Sequence, residues 1–209
     1  MVLLERISNA LQVGRAKEVV KLVQEAISCA VPARDILDNG LLKGMGELGM
    51  KFKNGDVYVP EVLIAARAFN KGTEALKAKL PVESMEPIGK IVICTVKGDL
   101  HDIGKNLVKI MLEGEGFEVI DLGFDVHEDR IVEAVIEHKP DILCLSALLT
   151  TTINEQKTVV DALSAAGIRN KIKVMIGGAP VTQSFCDLIG ADFYTADAAS
   201  AAEIAKNIT

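Results

Sequence analysis

The apolar residues of this chain change their spacing near residue 85. Up to about Leu80 they recur at steps of three and four, the period of an amphipathic helix. Leu3, Leu4, Ile7 and Leu11 define a first short helix, and Val19, Val20, Val23, Ala26 and Ile27 a second. Ile36, Leu37, Leu41, Met45, Leu48 and Phe52 define a third. A fourth begins at Pro60, whose fixed φ and missing N–H suit a first helical turn, and runs through Val62, Leu63, Ala66 and Phe69 to Leu76. Four short helices with brief connections predict an antiparallel bundle over residues 1–80. Residues 81–89 carry two prolines that resist helix continuation, and are expected to form a linker.

From Lys90 onward apolar strand-like runs alternate with helical patterns. The runs at 90–96, 117–121, 141–146 and 172–177, with a short one at 192–195, predict five strands. Helices are expected near 103–115, 128–138, 152–166, 181–189 and 198–208. Such alternation predicts a parallel sheet covered on both faces. The fold class is therefore α/β: a four-helix bundle followed by a flavodoxin-like (Rossmann-like) five-stranded parallel sheet over residues 90–209, order 2-1-3-4-5.

Composition narrows the partners. The chain of 209 residues has a net charge of −6 and no long basic stripe, which argues against nucleic acid. No run of about twenty uncharged apolar residues could span a membrane. The start, Met1-Val2-Leu3-Leu4-Glu5-Arg6, lacks the order of a signal peptide. The four cysteines are scattered without a CxxC pair, and Cys94 and Cys144 fall inside strand runs as small hydrophobes. A soluble cytoplasmic protein is expected.

Candidate chemistry collects where such sheets bind ligands, at the carboxyl ends of the strands beside the reversal of strand order. The loop after the first strand reads Gly98-Asp99-Leu100-His101-Asp102-Ile103-Gly104-Lys105-Asn106. The loop after the third, residues 146–152, holds four hydroxyls in seven residues: Ser146, Thr150, Thr151 and Thr152. The fourth strand ends in Gly177-Gly178, where absent side chains leave room for a bulky ligand. Each signal also has a plain structural reading. Asp99 could simply close a turn, Thr151 or Thr152 could cap the next helix, and His127 and His138 read as surface residues. Their convergence on one edge favours a site.

Asp99-x-His101-x-x-Gly104, Ser146-x-Leu148 and Gly177-Gly178 together resemble the three-part signature of the cobalamin-binding domain of corrinoid proteins and methionine synthase. The resemblance runs from about Lys90 to the C-terminus. Residues 52–62 look like the helical cap of that class, and the two modules together resemble the small corrinoid proteins of methanol, methylamine, glycine-betaine and aryl-ether methyltransferase systems. The resemblance implies a cobalamin or related corrinoid with His101 as the lower axial cobalt ligand. Asp99 would hold the other imidazole nitrogen, and Thr152, where many relatives carry serine, would hold Asp99. Ser146 and Thr150 would line a slot for the displaced nucleotide tail, Leu148 would shape it, and Gly177 and Gly178 would let the tail pass. Phe52, Val59 and Val62 match cap positions that shield the methyl group, although as bundle core they need no further role.

The implied function is methyl carriage, with cobalt cycling between cob(I)alamin and methylcobalamin. A substrate-specific corrinoid methyltransferase would load the methyl group. A second methyltransferase would pass it to tetrahydrofolate or coenzyme M, and a reductive activator would rescue oxidised cobalt. The linker would be the hinge for cap movement. A cobalamin-dependent mutase subunit shares the signature but usually lacks the bundle. A cobalamin sensor would carry an added DNA-binding or signalling domain. A flavodoxin or response regulator would place phosphate-binding or acidic residues where His101 stands.

Overall fold

The structure is a computed structural model that describes residues 2–78 and 86–209. Most of the expected linker at 81–89 lies outside the described residues. The chain forms two compact units, Met1–Pro87 with Gly114–Gly116, and Ile88–Glu113 with Phe117–Thr209.

The first unit is helical. It contains α1 (Val2–Gln12), α2 (Ala16–Ser28), α3 (Ala33–Ile36), a π-helical turn at Leu37–Leu42, α4 (Lys43–Lys53) and α5 (Val59–Lys77). The apolar stripes point inward as the periodicity requires: Ile7, Leu11, Leu22, Leu41, Leu48 and Leu76 are all fully or almost fully buried. The third helix differs from expectation, because the π turn divides it into α3 and α4. Leu37, Leu41 and Met45 are nevertheless all buried, so the widened turn leaves the apolar stripe facing inward. The start of α5 is set by Glu61, whose carboxylate accepts the Tyr58 N–H at 2.6 Å. Gln12 joins α1 to α4, accepting from Lys51 Nζ at 2.7 Å.

The second unit alternates: β1 (Lys90–Thr95), α6 (Ile103–Gly114), β2 (Glu118–Asp121), α7 (Glu128–His138), β3 (Ile142–Ser146), α8 (Asn154–Ala165), β4 (Lys173–Gly177), α9 (Gln183–Ile189), β5 (Phe193–Tyr194) and α10 (Ala198–Ile208). The strands form one sheet of order β2-β1-β3-β4-β5. Every pairing is parallel, with Thr95 opposite Ser146 and Ser146 opposite Gly177. The expected order 2-1-3-4-5 is the observed one, and the strands are shorter at their ends than the apolar runs.

Side-chain alternation divides the sheet. Cys94, Leu145 and Ile176 pack in one core with Ile131 of α7, Val160 of α8 and Ile189 of α9. Thr95, Cys144, Ser146 and Gly177, one step along each strand, belong to the opposite face. The thiols are inert packing groups: burial pushes Cys144 up to about 12 and Cys94 higher still. Among the described residues no helix is long and apolar enough to cross a membrane.

Candidate functional site

β1 delivers the chain to the carboxyl edge, where Gly98 turns it at φ +77°, a conformation that side chains other than glycine rarely adopt. The turn is tied on both sides. Gly98 N–H donates to Asp125 Oδ1 at 2.7 Å, and Asp125 N–H donates to the Asp99 carbonyl at 3.0 Å. Thr95 Oγ1 donates to the His101 carbonyl at 2.9 Å. These bonds send the Asp99 side chain inward, with no exposed surface, and leave the His101 side chain 50% exposed.

Asp99 is surrounded by donors. Its Oδ1 accepts from the His101 N–H at 3.1 Å and faces His101 Nδ1 at 2.7 Å. Its Oδ2 accepts from Thr152 Oγ1 at 2.7 Å, from Leu148 N–H at 2.7 Å and from Leu149 N–H at 3.3 Å. Burial alone would raise this carboxyl. The hydrogen bonds from Thr152, Leu148 and His101 outweigh it and hold Asp99 well below the usual carboxylate range. Asp99 is therefore ionised at neutral pH, and an ionised carboxylate only accepts. The nitrogen facing that carboxylate, Nδ1 of His101, must then carry a proton, so Nε2 is the nitrogen that would be offered to a ligated metal. Nε2 has no protein partner among the described residues.

The imidazole stands among exposed apolar side chains. Leu100, next to it in the loop, is 66% exposed and Ile103, the first residue of α6, 76%, with Phe124, Leu148 and Leu149 exposed on the loops that the Asp99 bonds draw together. Large apolar groups gathered at one edge need a cover. Gly104, in the first turn of α6, has nothing within 4 Å of where a Cβ would stand.

Next to this unit, β3 and β4 end side by side. Gly178 sits at φ +131°, where a Cβ would stand 1.8 Å from the Ala147 carbonyl oxygen, so no side chain fits. Ser146 is half-buried, and its hydroxyl makes no hydrogen bond among the described residues. The expected residues thus fall into distinct groups. Asp99, His101 and Thr152 form one hydrogen-bonded relay. Ser146, Gly177 and Gly178 line the adjoining strand ends, and Leu148 belongs to both through its main chain. Thr150 is exposed in the same loop without contributing to the relay. Phe52, Val59 and Val62 belong to the helical unit, at the end of α4 and the start of α5, with Val62 fully buried.

Two expectations change in detail. α8 begins at Asn154 rather than 152, because residues 149–153 form turns on the Leu149 carbonyl. Thr152 is consequently no helix cap, and its hydroxyl turns to Asp99. The amides of Leu148 and Leu149 went unnoticed in the sequence, since a main-chain donor has no side-chain signature. Lys105 and Asp121 were also missed; they make an ion pair one strand away, at 2.7 Å, between a buried lysine and a half-buried carboxylate.

A family model described as a B12 binding domain matches residues 89–205, and a second of the same description matches residues 3–77. The chain belongs to the B12-binding family. It is 40% identical over 206 residues to dimethylamine corrinoid protein 3 of Methanosarcina acetivorans, covering 99% of this chain and 96% of that one. Among solved structures, it resembles the methanol:cobalamin methyltransferase complex MtaBC of Methanosarcina barkeri with a TM-score of 0.89 and 35% identity, over 99% of this chain and 79% of that chain. A cobalamin-binding protein of Desulfitobacterium hafniense gives a TM-score of 0.81 and 34% identity, over 99% of this chain and 98% of that one.

The site of this B12-binding protein fits a corrinoid on chemical grounds. A single imidazole suffices as protein ligand for a metal whose other positions are filled by its own macrocycle. The exposed leucines, Ile103 and Phe124 offer the apolar surround that a flat macrocycle requires, and the glycine pair leaves the strand ends bare.

Proposed function

We propose that this chain is a corrinoid methyl carrier in which His101, through Nε2, would ligate the corrinoid cobalt. The observation that carries the reading is the relay Thr152–Asp99–His101, which fixes the proton on Nδ1 and leaves Nε2 unpartnered amid exposed apolar residues. The bound corrinoid supplies the nucleophilic metal centre that accepts and releases the methyl group. The chain's own residues bind it, orient it and hold a proton. Asp99 keeps the imidazole in the ligating tautomer, and Thr152 with the Leu148 and Leu149 amides keeps Asp99 charged and still. Ser146, with its free hydroxyl, and Gly104, Leu148, Thr150, Gly177 and Gly178 accommodate the macrocycle edge and the nucleotide tail. The family's cap positions, Phe52, Val59 and Val62, would be the residues that shield the methyl group.

The same reading takes residues 1–80 as a helical module, 81–89 as its linker and 90–209 as the corrinoid-binding module. A substrate-specific methyltransferase loads the carrier. That partner class is supported by the likeness to MtaBC, a methyltransferase complex, and to a corrinoid protein named for dimethylamine. A second methyltransferase, acting on tetrahydrofolate or coenzyme M, unloads it, and a reductive activator restores it.

The test is the visible spectrum of the full chain reconstituted with aquocobalamin, compared with His101→Ala. A stoichiometric complex with a base-off, histidine-ligated spectrum that vanishes in the variant is expected. A chain that retains no cobalamin, or a spectrum indifferent to residue 101, would overturn the assignment.

A further inference from the structure

Lys105 is placed where an ammonium is least welcome. It lies in the first turn of α6 and is only 3% exposed, so it has given up its water. It also faces the positive end of the helix dipole, which disfavours a cation. Asp121, the last residue of β2, answers both costs. Lys105 Nζ donates to Asp121 Oδ1 at 2.7 Å and to Oδ2 at 2.8 Å. The Gly123 N–H holds the same carboxylate at 2.9 Å. The remaining ammonium proton goes to Asn106 Oδ1 at 2.8 Å, which uses all three. Asn106 then reaches back, its Nδ2 donating to Asp102 Oδ2 at 3.0 Å and its main-chain N–H to the Asp102 carbonyl at 2.8 Å. Asp102 follows His101 directly in the chain. A fully satisfied polar chain therefore runs from the end of β2 to the peptide that carries the imidazole.

We propose that Lys105 is a positioning residue for His101: clamped on Asp121, it anchors the start of α6 and, through Asn106 and Asp102, fixes the direction in which Nε2 points. The proposal rests on the reading of His101 as cobalt ligand. A pair that served stability alone would be replaceable by apolar residues of similar volume without consequence for the imidazole. The relay through Asp99 fixes the tautomer from one side of the histidine, and the Lys105 chain holds the main chain from the other.

The decisive variant is the double substitution Lys105→Met with Asp121→Leu, which removes both charges and leaves neither unpaired. Lys105→Met alone and Lys105→Arg accompany it, and the double variant decides if the single one fails to fold. In the free protein, nitrogen NMR of the His101 ring should change from one sharp, hydrogen-bonded Nδ1–H signal to a broadened or displaced one. The thermal midpoint of the double variant should stay close to wild type. Aquocobalamin affinity should fall about tenfold, at the low end of what outer-shell losses cost a metal site, with Lys105→Arg recovering part of it. A folded double variant with the wild-type ring signal and affinity would overturn the proposal. Should the wild-type chain itself retain no cobalamin, the carrier reading fails, and the ring signal alone then decides whether Lys105 positions His101.

Discussion

Two carboxylates at neighbouring positions of one sheet edge, Asp99 after β1 and Asp121 at the end of β2, are taken out of water in opposite ways. Asp99 has no exposed surface and is satisfied by a hydroxyl, amides and an imidazole. None of those donors carries a permanent charge, so its negative charge is stabilised without being cancelled. Asp121 is chelated by the Lys105 ammonium, with Lys109 Nζ 3.4 Å away, and its charge is neutralised. Burial would raise Asp121, but the Lys105 hydrogen bond and charge lower it on balance. The difference separates a group that acts outward from one that acts inward. An uncancelled carboxylate behind an imidazole favours positive charge beyond its far nitrogen, where a metal would sit. A neutralised pair has no field to offer, and can only hold things in place.

The comparison breaks first at the ion pair. Lys105→Met leaves Asp121 without its principal counter-charge, and should cost about 2–3 kcal/mol in denaturant unfolding, below the scale of a fully buried pair because the half-buried carboxylate keeps Lys109 and some solvent. Adding Asp121→Leu should return stability to within about 1 kcal/mol of wild type. If the single variant were neutral, the two carboxylates would not differ as described. Asp99→Asn comes next. It keeps the shape but replaces an acceptor by an amide among donors, with an expected cost of about 2 kcal/mol. Here the effect is pH-dependent with a definite sign. The folded-state pKa of Asp99 lies below its unfolded value, so its stabilising contribution is complete above the ordinary carboxylate pKa of about 4 and is lost as pH falls through the folded value. The gap between wild type and Asp99→Asn in thermal unfolding should be constant from neutral pH to about pH 5 and narrow below about pH 4.

What could be read from the sequence follows the same division. The sheet order and the helical half were legible because burial repeats: stripes at helical spacing and uninterrupted strand runs are long signals. Asp99, His101 and the hydroxyls of residues 146–152 were legible as a convergence, since the loops after β1 and β3 meet at one edge once the order is known, whereas the role of Thr152 beside Asp99 came only from the family resemblance. The π turn was not, because steps of four residues between Leu37, Leu41 and Met45 are still compatible with an ordinary helix. The amide donors of Leu148 and Leu149 carry no side-chain mark. Lys105 was overlooked for a different reason. A lysine in an amphipathic pattern reads as solvent-facing, and only the carboxylate that β2 brings to it, sixteen residues on, makes its burial tolerable.

Thr152 gives the smallest effect and sharpens the comparison on the Asp99 side. Its hydroxyl donates to Asp99 Oδ2, while its methyl lies 3.6 Å from where a Cβ on Gly98 would stand. Thr152→Val keeps the shape and removes the donor, leaving Oδ2 to the two amides. A cost of about 1.5 kcal/mol is expected, the lower end for one hydrogen bond to a charged group, because the carboxylate keeps other partners. Thr152→Ser keeps the donor and loses one methyl group, at a cost of about 0.5–0.8 kcal/mol. The order Val worse than Ser means the hydroxyl is what maintains the carboxylate, and it also predicts that serine serves equally well in holding the histidine tautomer. The reverse order in paired unfolding curves would mean that packing against the Gly98 turn matters more than the hydrogen bond. Asp99 would then owe its charge to the Leu148 and Leu149 amides, and the relay would end at a main-chain cradle rather than at a side chain.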